Sequence, residues 1–361
     1  VQPAGGAGAS QAKTFGESGI SIKQKQWPGK FALDSSEFND QVVGGKSKNL
    51  ELLRGRTPNW IQLPASVALP FGTFDATLND PINARVKTKL ESQILALKQF
   101  DDSKDGDGFR ALIDDIKSTI SSLKPPNALQ SELESCFTKE KLSWPGDLET
   151  SEQGQEAWRT ICAVWSSKYN ERAVLSCKKA GLNHDDLNMA VLCQPVVNAK
   201  YAFVLHTVHP QTNDQTEIYG ELVCGMGEAL VGNFAGRALS FTVKKSDLDR
   251  PLINGFPSKS KGLFARQNTL IFRSDSNGED LEGFAGAGLY DSVCMNEPSL
   301  ESIDYTNEPI SNNEDFRNQM LSAIAKSGME IENLLGSAQD IEGAITEDGK
   351  LFVVQTRPQV F

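Results

Sequence analysis

Polar and apolar residues alternate along the last stretch of the chain, and this pattern predicts an antiparallel hairpin. Asp348-Gly349 is a turn signal that separates two alternating runs. Pairing Glu347 with Lys350 around that turn sets the register of the two predicted strands.

This register places four polar residues on one face of the hairpin. Glu342 lies opposite Gln355, and Asp340 lies opposite Arg357. Because strand side chains alternate between faces, all four should project to one side. The opposite face is predicted to carry Ile341, Ile345, Phe352 and Val354.

Two carboxylates, an amide and a guanidinium on one face suit a metal-bound polyphosphate. Asp340 and Glu342 offer oxygen ligands to a hard cation such as Mg²⁺, which commonly binds one or two carboxylates together with substrate phosphates. Arg357 can bind a phosphate through two parallel hydrogen bonds. The simpler alternative is a hairpin whose polar face meets water. The absence of lysine or threonine among the four favours a site.

Helical periodicity dominates the middle of the chain. It runs from about residue 81 to 141, with breaks at 105–108 and 125–126, and returns over 158–177. The apolar residues of these segments recur at helical spacing, and core packing is the simplest interpretation of them.

A β-rich pattern begins near Leu187. Residues 190–197 and 201–207 are predicted strands joined as a hairpin through 198–200, and another strand covers 218–224. A helix-rich part followed by a β-rich part predicts an α+β fold with two subdomains enclosing a cleft.

A chain of 361 residues exceeds the length at which single cores stop growing, so more than one domain is expected. Residues 1–38 are predicted to be a flexible N-terminal arm or linker, and their small, polar start suggests a segment of a longer protein. The helix-rich first subdomain should cover 39–186. The β-rich second subdomain, with the metal and phosphate hairpin, should cover 187–361.

Composition excludes several classes of partner. A formal net charge of -11 disfavours nucleic acid and anionic membranes, so a bound anion would need locally placed cations and a metal. No apolar run approaches the roughly 20 residues that span a bilayer. The six cysteines are scattered without Cys-x-x-Cys pairs, which predicts free thiols in a reducing compartment.

Two further segments carry candidate phosphate-binding residues. Gly44-Gly45 leads into a short helix, which puts Lys46 at a helix N-terminus, a natural anion site. This is no Walker A loop, because Asp40 stands where that motif needs glycine. The alternative is a solvated lysine.

The second segment is a predicted strand over 269–272 that delivers Arg273 to its end. Ser274 and a loop rich in serine and glycine follow, reaching residue 291. Hydroxyls and approachable backbone N–H groups beside an arginine can form a phosphate cradle. The alternative is a flexible surface loop.

Together these segments resemble the C-terminal nucleotide-binding domain of the α-glucan, water dikinases, plant and algal enzymes that phosphorylate starch. The resemblance covers about residues 38–361, with its motifs in the expected order. The residues that carry it are 43–50 (VGGKSKNL), 63–72 (LPASVALPFG), 165–173 (WSSKYNERA), 225–232 (GMGEALVG), the Arg273 loop, and 339–342 with 355–357.

The chain also resembles, more distantly, pyruvate phosphate dikinase and phosphoenolpyruvate synthase, whose nucleotide-binding parts have the ATP-grasp fold. In those relatives the Arg-Ser segment precedes the stretch that is similar to 165–173, whereas here it follows. The shared role of Arg273 therefore depends on spatial rather than sequential equivalence.

The resemblance implies roles for individual residues. Lys46, Arg273 and Arg357 would be catalytic, because phosphoryl transfer needs positioning and charge neutralisation rather than a protein nucleophile. The nucleotide would be ATP, and the metal would be Mg²⁺. The implied metal ligands are Asp340, Glu342 and Gln355, and the implied nucleotide contacts are Lys46, Gln194, Val197, Glu228, Arg273, Ser274, Gln355 and Arg357.

The family passes the β-phosphate of ATP through a histidine on a separate domain to a glucosyl hydroxyl, and the γ-phosphate to water. The three histidines of this chain lie in no such motif. The resemblance therefore implies a plastid-stroma protein that binds Mg-ATP and depends on a phosphohistidine domain and starch-binding modules to reach α-glucan. The alternatives are a phosphoenolpyruvate synthase-type dikinase domain and a noncatalytic nucleotide-sensing module.

Overall fold

The computed structural model of the chain describes residues 22, 25, 27–232, 234–265, 268–279 and 288–360. Residues 1–21 of the predicted flexible arm lie outside this set. Among the described helices, none is both long enough and apolar enough to cross a bilayer.

The described strands are, in chain order, β1 (Leu33–Asp34), β2 (Ile61–Gln62), β3 (Val67–Leu69), β4 (Met189–Pro195), β5 (Ala199–His206), β6 (Glu217–Cys224), β7 (Leu239–Lys244), β8 (Leu252–Gly255), β9 (Lys261–Phe264), β10 (Leu270–Ser276), β11 (Ser292–Cys294), β12 (Ser299–Ser302), β13 (Gln339–Thr346) and β14 (Leu351–Pro358).

The described α-helices are α1 (Gly45–Glu51), α2 (Thr73–Asn79), α3 (Ala84–Gln99), α4 (Gly106–Ser121), α5 (Asn127–Lys139), α6 (Glu152–Ser166), α7 (Glu171–Ala180), α8 (Glu228–Val231), α9 (Pro309–Asn312) and α10 (Glu314–Leu335).

Two large sheets organise these elements. The first has five strands in the order β1-β3-β4-β10-β11, and the second has seven in the order β2-β14-β13-β5-β6-β7-β8. Strands β9 and β12 form a separate two-stranded ribbon. The pairs are antiparallel except β14 with β2, which is parallel. The mixture of helices and sheets that the sequence predicted is confirmed, whereas the division at residues 186 and 187 stays a prediction.

Each large sheet has its own apolar core, and strand β4 contributes to both. Val191 and Cys193 pack in the core that the five-stranded sheet shares with helices α3 to α6. Leu192, which projects to the opposite face, packs in the core that the seven-stranded sheet shares with α10. A strand buried on both faces is apolar at consecutive positions, so its sequence does not show which sheet it joins.

The predicted hairpin between residues 190–197 and 201–207 is therefore wrong. Strand β4 pairs with β3 and β10 in the five-stranded sheet, whereas β5 pairs with β13 and β6 in the seven-stranded sheet. The short connection after Pro195 carries the chain from one sheet to the other.

Helix α6 ends earlier than the pattern over 158–177 predicted. Its apolar residues Trp158, Ile161 and Trp165 are buried on one face, as expected. Asn170 then adopts an extended conformation with ψ of 139°, which separates a 3-10 turn over Ser167–Tyr169 from helix α7.

The C-terminal hairpin forms, but its turn differs from the prediction. The N–H of Thr346 donates to the carbonyl of Lys350 at 3.0 Å, so the loop is one residue longer than the two-residue turn that would pair Glu347 with Lys350. A β-bulge between Glu342 and Gly343 then compensates for this shift.

Beyond the bulge, the predicted pairs are correct: Glu342 faces Gln355, and Asp340 faces Arg357. Between the bulge and the turn the side chains of β14 lie on the opposite face from the one predicted, because a one-residue shift exchanges the faces of a strand. Leu351 and Val353, rather than Phe352 and Val354, pack in the core with Ile341 and Ile345. Ile341 and Ile345 lie on the apolar face, as predicted.

Replacing Gly343 with alanine should destabilise the fold at this bulge. A Cβ there would lie 2.1 Å from the ring of Phe203 and 2.6 Å from the carbonyl oxygen of Phe352. We expect the free energy of unfolding, measured by urea titration, to fall by about 1–3 kcal/mol.

The matched control is Gly106→Ala in helix α4, where a Cβ meets nothing within 4 Å. Alanine favours the helix, so this variant should keep or slightly raise the stability. Equal stability of the two variants would show that the bulge is not tightly packed.

Candidate functional site

A cleft of about 810 Å³ is lined by strands of both large sheets and by the start of α1. Its volume is within the usual range of small-molecule sites. Apart from Asp340, every predicted site residue lines it. Those residues are Lys46, Gln194, Val197, Glu228, Arg273, Ser274, Glu342, Gln355 and Arg357.

Asp340 lies beside the cleft wall and is held by the neighbouring arginine. The Nε and Nη2 atoms of Arg357 donate to Oδ2 of Asp340 at 2.9 and 2.7 Å. On the adjacent strand, Nδ1 of His206 is 3.7 Å from Oδ1 of Asp340. Burial lowers the pKa of His206 below its usual value, so near neutral pH this imidazole brings no positive charge to the carboxylate.

Arg273 connects the two sheets instead of standing at a strand end as predicted. It lies within β10, is 9% exposed, and its Nη1 donates to the carbonyl of Val354 at 2.8 Å. Its Nη2 donates to Oε1 of Gln355 at 2.7 Å and lies 3.4 Å from a carboxylate oxygen of Glu342.

The β-bulge explains why this carbonyl is available to Arg273. Val354 is the extra residue of the bulge, so it has no partner in the β13–β14 register. A bulge disrupts the ladder of hydrogen bonds locally, which leaves backbone groups open to other donors. The guanidinium supplies such a donor from the other sheet.

The N-terminus of α1 is occupied by a carboxylate of the protein. Asp275, which is 1% exposed, accepts hydrogen bonds from the N–H groups of Gly44 and Lys46 at 3.0 and 2.9 Å and from the hydroxyl of Ser47 at 2.6 Å. The carboxylate of Asp275 therefore occupies the anion site that was predicted at these N–H groups. A Cβ at residue 44 would lie 2.4 Å from Oδ1 of Asp275, so glycine is required.

The side chain of Lys46 does face the cleft, where it forms an ion pair with Glu279. Both side chains are largely buried, and Oε1 of Glu279 is enclosed without a hydrogen-bond partner among the described residues. Residues 280–287, which carry much of the predicted serine and glycine cradle, lie outside the described set. Ser274 is buried, and its N–H donates to the carbonyl of Asp291.

Asp275 and Glu279 are functional-site residues that the sequence reasoning missed. The missed signal is the alternation of Ile271, Arg273 and Asp275, which extends the strand beyond its predicted end and directs all three to one face. Glu279 lies beyond the end of β10, and no pattern in the sequence indicated its contact with Lys46.

Part of the cleft wall is apolar and suits a planar ring. Gln194 and Val197, which the resemblance implied as nucleotide contacts, line the cleft together with the apolar residues Met226 and Ile271. Glu228, at the exposed start of α8, lies on its rim.

The buried carboxylate of Asp275 should make stability depend on pH. Burial raises the pKa of Asp275 from 3.8 to about 6, against the opposing effects of Lys46 and Ser47. Because the folded protein binds this proton more tightly than the unfolded chain does, the free energy of unfolding falls as pH rises from about 4 to about 6. The contribution is on the order of 3 kcal/mol.

Urea titrations of the wild type and Asp275→Asn between pH 4 and pH 7 measure this contribution. The asparagine does not titrate, so the wild type should lose stability relative to the variant across this interval. Parallel stability curves for the two proteins would contradict the assignment.

The amino-acid sequence of the chain is similar to those of known dikinases. Residues 140–254 match the family described as pyruvate phosphate dikinase, AMP/ATP-binding domain. Alpha-glucan water dikinase 1, chloroplastic, of Arabidopsis thaliana is 50% identical over 341 residues, which are 94% of this chain and 24% of that protein. Alpha-glucan water dikinase, chloroplastic, of Citrus reticulata is 48% identical over 343 residues, which are 95% of this chain and 22% of that protein.

A more distant relative is phosphoenolpyruvate synthase of Pyrococcus furiosus, 26% identical over 195 residues, which are 54% of this chain and 21% of that protein. The chain thus spans about a quarter of the length of the curated relatives it matches. These matches confirm the resemblance that the motifs predicted: over nearly its whole length the chain is similar to a segment of the α-glucan, water dikinases, and it is more distantly similar to phosphoenolpyruvate synthases.

Proposed function

We propose that this chain is the Mg-ATP-binding part of a starch-phosphorylating α-glucan, water dikinase. The observation that supports this proposal most directly is that three basic residues, Lys46, Arg273 and Arg357, line one cleft. The carboxylate of Glu342 and the amide of Gln355 line the same cleft. The high identity to dikinases over nearly the whole chain supports it. Both of these relatives are named chloroplastic, which supports action in the plastid stroma.

In the proposed complex, ATP lies along the cleft with its base and its phosphates at opposite ends. The base occupies the apolar end, near Gln194 and Val197, and the triphosphate extends towards Lys46 and the C-terminal hairpin. This is the ATP-grasp arrangement, in which the five-stranded and seven-stranded sheets belong to the two subdomains that enclose the nucleotide.

The hairpin residues fit Mg²⁺ in their chemistry. Glu342 is 39% exposed in its side chain, and its one ion pair among the described residues, with Arg273, is long at 3.4 Å, so its carboxylate is available to a cation. Among the described residues no group of three or more histidine, cysteine and acidic side chains is arranged to hold a metal. Mg²⁺ does not need one, because it completes its shell with water and phosphate oxygens.

Glu342 and the amide oxygen of Gln355 would hold the ion, with Asp340 joining them when Arg357 turns to a phosphate. The bound metal would neutralise charge on the β- and γ-phosphates. Lys46 and Arg357 would exchange their carboxylate partners for phosphate oxygens and keep the triphosphate in position for transfer.

The acceptor of the β-phosphate is a carrier histidine from another domain of the full-length protein, while the γ-phosphate goes to water. None of the described histidines lines the cleft, so the acceptor has to reach it from elsewhere. α-Glucan would be bound through starch-binding modules of the same protein.

The glucan dikinase assignment is favoured over a phosphoenolpyruvate synthase by the comparison. Identity to the former is 50% over 94% of the chain, against 26% over 54% for the latter. Phosphoryl chemistry at the nucleotide is shared by both, and the difference lies in the final acceptor.

The transfer is tested by adding the phosphohistidine domain of a glucan dikinase in trans. ATP labelled at the β-phosphate should transfer acid-labile label to that domain, and γ-labelled ATP should release labelled inorganic phosphate. Glu342→Ala should lower the rate of β-label transfer at least tenfold, because the proposed metal loses a carboxylate.

The matched control is Glu347→Ala in the same hairpin. The carboxylate of Glu347 is 79% exposed and, within the part of the chain that the structure describes, pairs only with Lys200. This variant should transfer label at the rate of the wild type. A chain that binds Mg-ATP and labels no histidine would instead be a noncatalytic nucleotide-binding module.

A further inference from the structure

Gln194 carries a buried amide whose orientation is fixed by a chain of hydrogen bonds behind the cleft wall. The residue is 2% exposed, and its Nε2 lies 2.9 Å from the hydroxyl oxygen of Ser66. That hydroxyl lies 3.1 Å from the carbonyl oxygen of Pro64. The three groups form one continuous relay.

The direction of this relay follows from its far end. A backbone carbonyl can only accept, so the hydroxyl proton of Ser66 is donated to Pro64. A hydroxyl has one proton, and the same oxygen must then accept from Gln194. The amide nitrogen is thereby committed to Ser66. Nη2 of Arg54 lies 3.5 Å from the same carbonyl oxygen. It is also a donor, so the direction of the hydrogen bonds in the relay does not change.

The amide oxygen of Gln194 is consequently left to face the ligand. The described residues give this oxygen no hydrogen-bond partner, and it is not among the side-chain atoms sealed from solvent. Gln194 pairs with Ile271 of β10, and both residues line the cleft. An acceptor of fixed orientation thus stands where the proposed function places the base.

We propose that Gln194 determines the base specificity of the site by accepting a hydrogen bond from the 6-amino group of adenine, and that Ser66 is the positioning residue that holds its amide in the accepting orientation. This inference rests on the proposed function. It adds the chemical feature that the site reads, a 6-aminopurine, and the relay that enforces it.

A 6-oxopurine such as hypoxanthine or guanine is rejected by the same geometry. Its carbonyl oxygen would face the amide oxygen of Gln194, which places two acceptors together and leaves both without a donor. Rejection of this kind is stronger than discrimination by shape, because a buried polar group is left unpaired. If Ser66 loses its hydroxyl, the amide is free to turn and to present its NH₂ group to a 6-oxo ligand.

Calorimetric titration of the whole chain with Mg-ATP and Mg-ITP tests this proposal, since inosine triphosphate differs from ATP at the 6-position of the purine. The wild type should bind ATP at least about tenfold more tightly than ITP. Ser66→Ala should reduce this preference about tenfold, mainly because ITP binds more tightly, while the affinity for ATP changes less than about threefold. Damage to the fold would weaken both ligands and would not improve ITP binding.

Two further variants complete the test. Ser66→Thr keeps the hydroxyl and should keep the preference for ATP. Gln194→Met keeps the side-chain length without the amide and should weaken ATP binding about tenfold, whereas ITP should bind at least as tightly as to the wild type because the opposing acceptor is gone.

Two outcomes overturn the proposal, and they are distinguishable. A wild-type chain that binds neither nucleotide overturns the proposed function and this inference with it. A chain that binds Mg-ATP but has the same affinity for ITP, or whose preference is unchanged in Ser66→Ala, overturns the inference alone.

Discussion

The guanidinium of Arg273 is the point on which the relation between the two sheets depends. It leaves the five-stranded sheet on β10 and donates to the carbonyl of Val354 and the amide of Gln355 in the seven-stranded sheet. A buried charge that loses its partners costs about 3–5 kcal/mol. The contact therefore holds the bulged hairpin against β10 and fixes the position of its acidic face. Asp275, two residues along the same strand, holds the start of α1 in the same way.

Within the protein itself, the charged side chains at the cleft are paired with one another. Lys46 is paired with Glu279, and Asp340 accepts from Arg357. In a chain whose net charge is -11, cations for a triphosphate have to be concentrated locally, and these contacts hold them in place at the cleft. Binding of Mg-ATP in the proposed manner is an exchange of partners, in which phosphates replace carboxylates and the metal compensates the carboxylates that are released.

The sequence predicted those features of the fold and the site that local patterns determine. Alternation and a turn signal were sufficient to place Asp340, Glu342, Gln355 and Arg357 on neighbouring strands, in pairs that the structure confirms. The predicted turn was one residue too short, and the bulge between Glu342 and Gly343 compensates for that difference. Such a bulge gives no signal in the alternation of polar and apolar residues along a single strand.

The parts that sequence reasoning missed depend on contacts between distant elements. Strand β4 is apolar on both faces, so its membership of the five-stranded sheet is decided by tertiary packing. Asp275 contacts Gly44 across more than two hundred residues of sequence, and the relay from Gln194 to Ser66 crosses between strands in the same way. Such contacts follow from the topology of the sheets, which local periodicity does not determine.

The most direct measurement of the central claim is a crystal structure of the chain with Mg²⁺ and a nonhydrolysable ATP analogue. The phosphates should lie between Lys46 and the face of Glu342 and Gln355, and the hydrogen bond from Arg273 to the carbonyl of Val354 should be retained. A nucleotide bound outside this cleft, or a triphosphate beyond hydrogen-bonding reach of Lys46, would contradict the central claim.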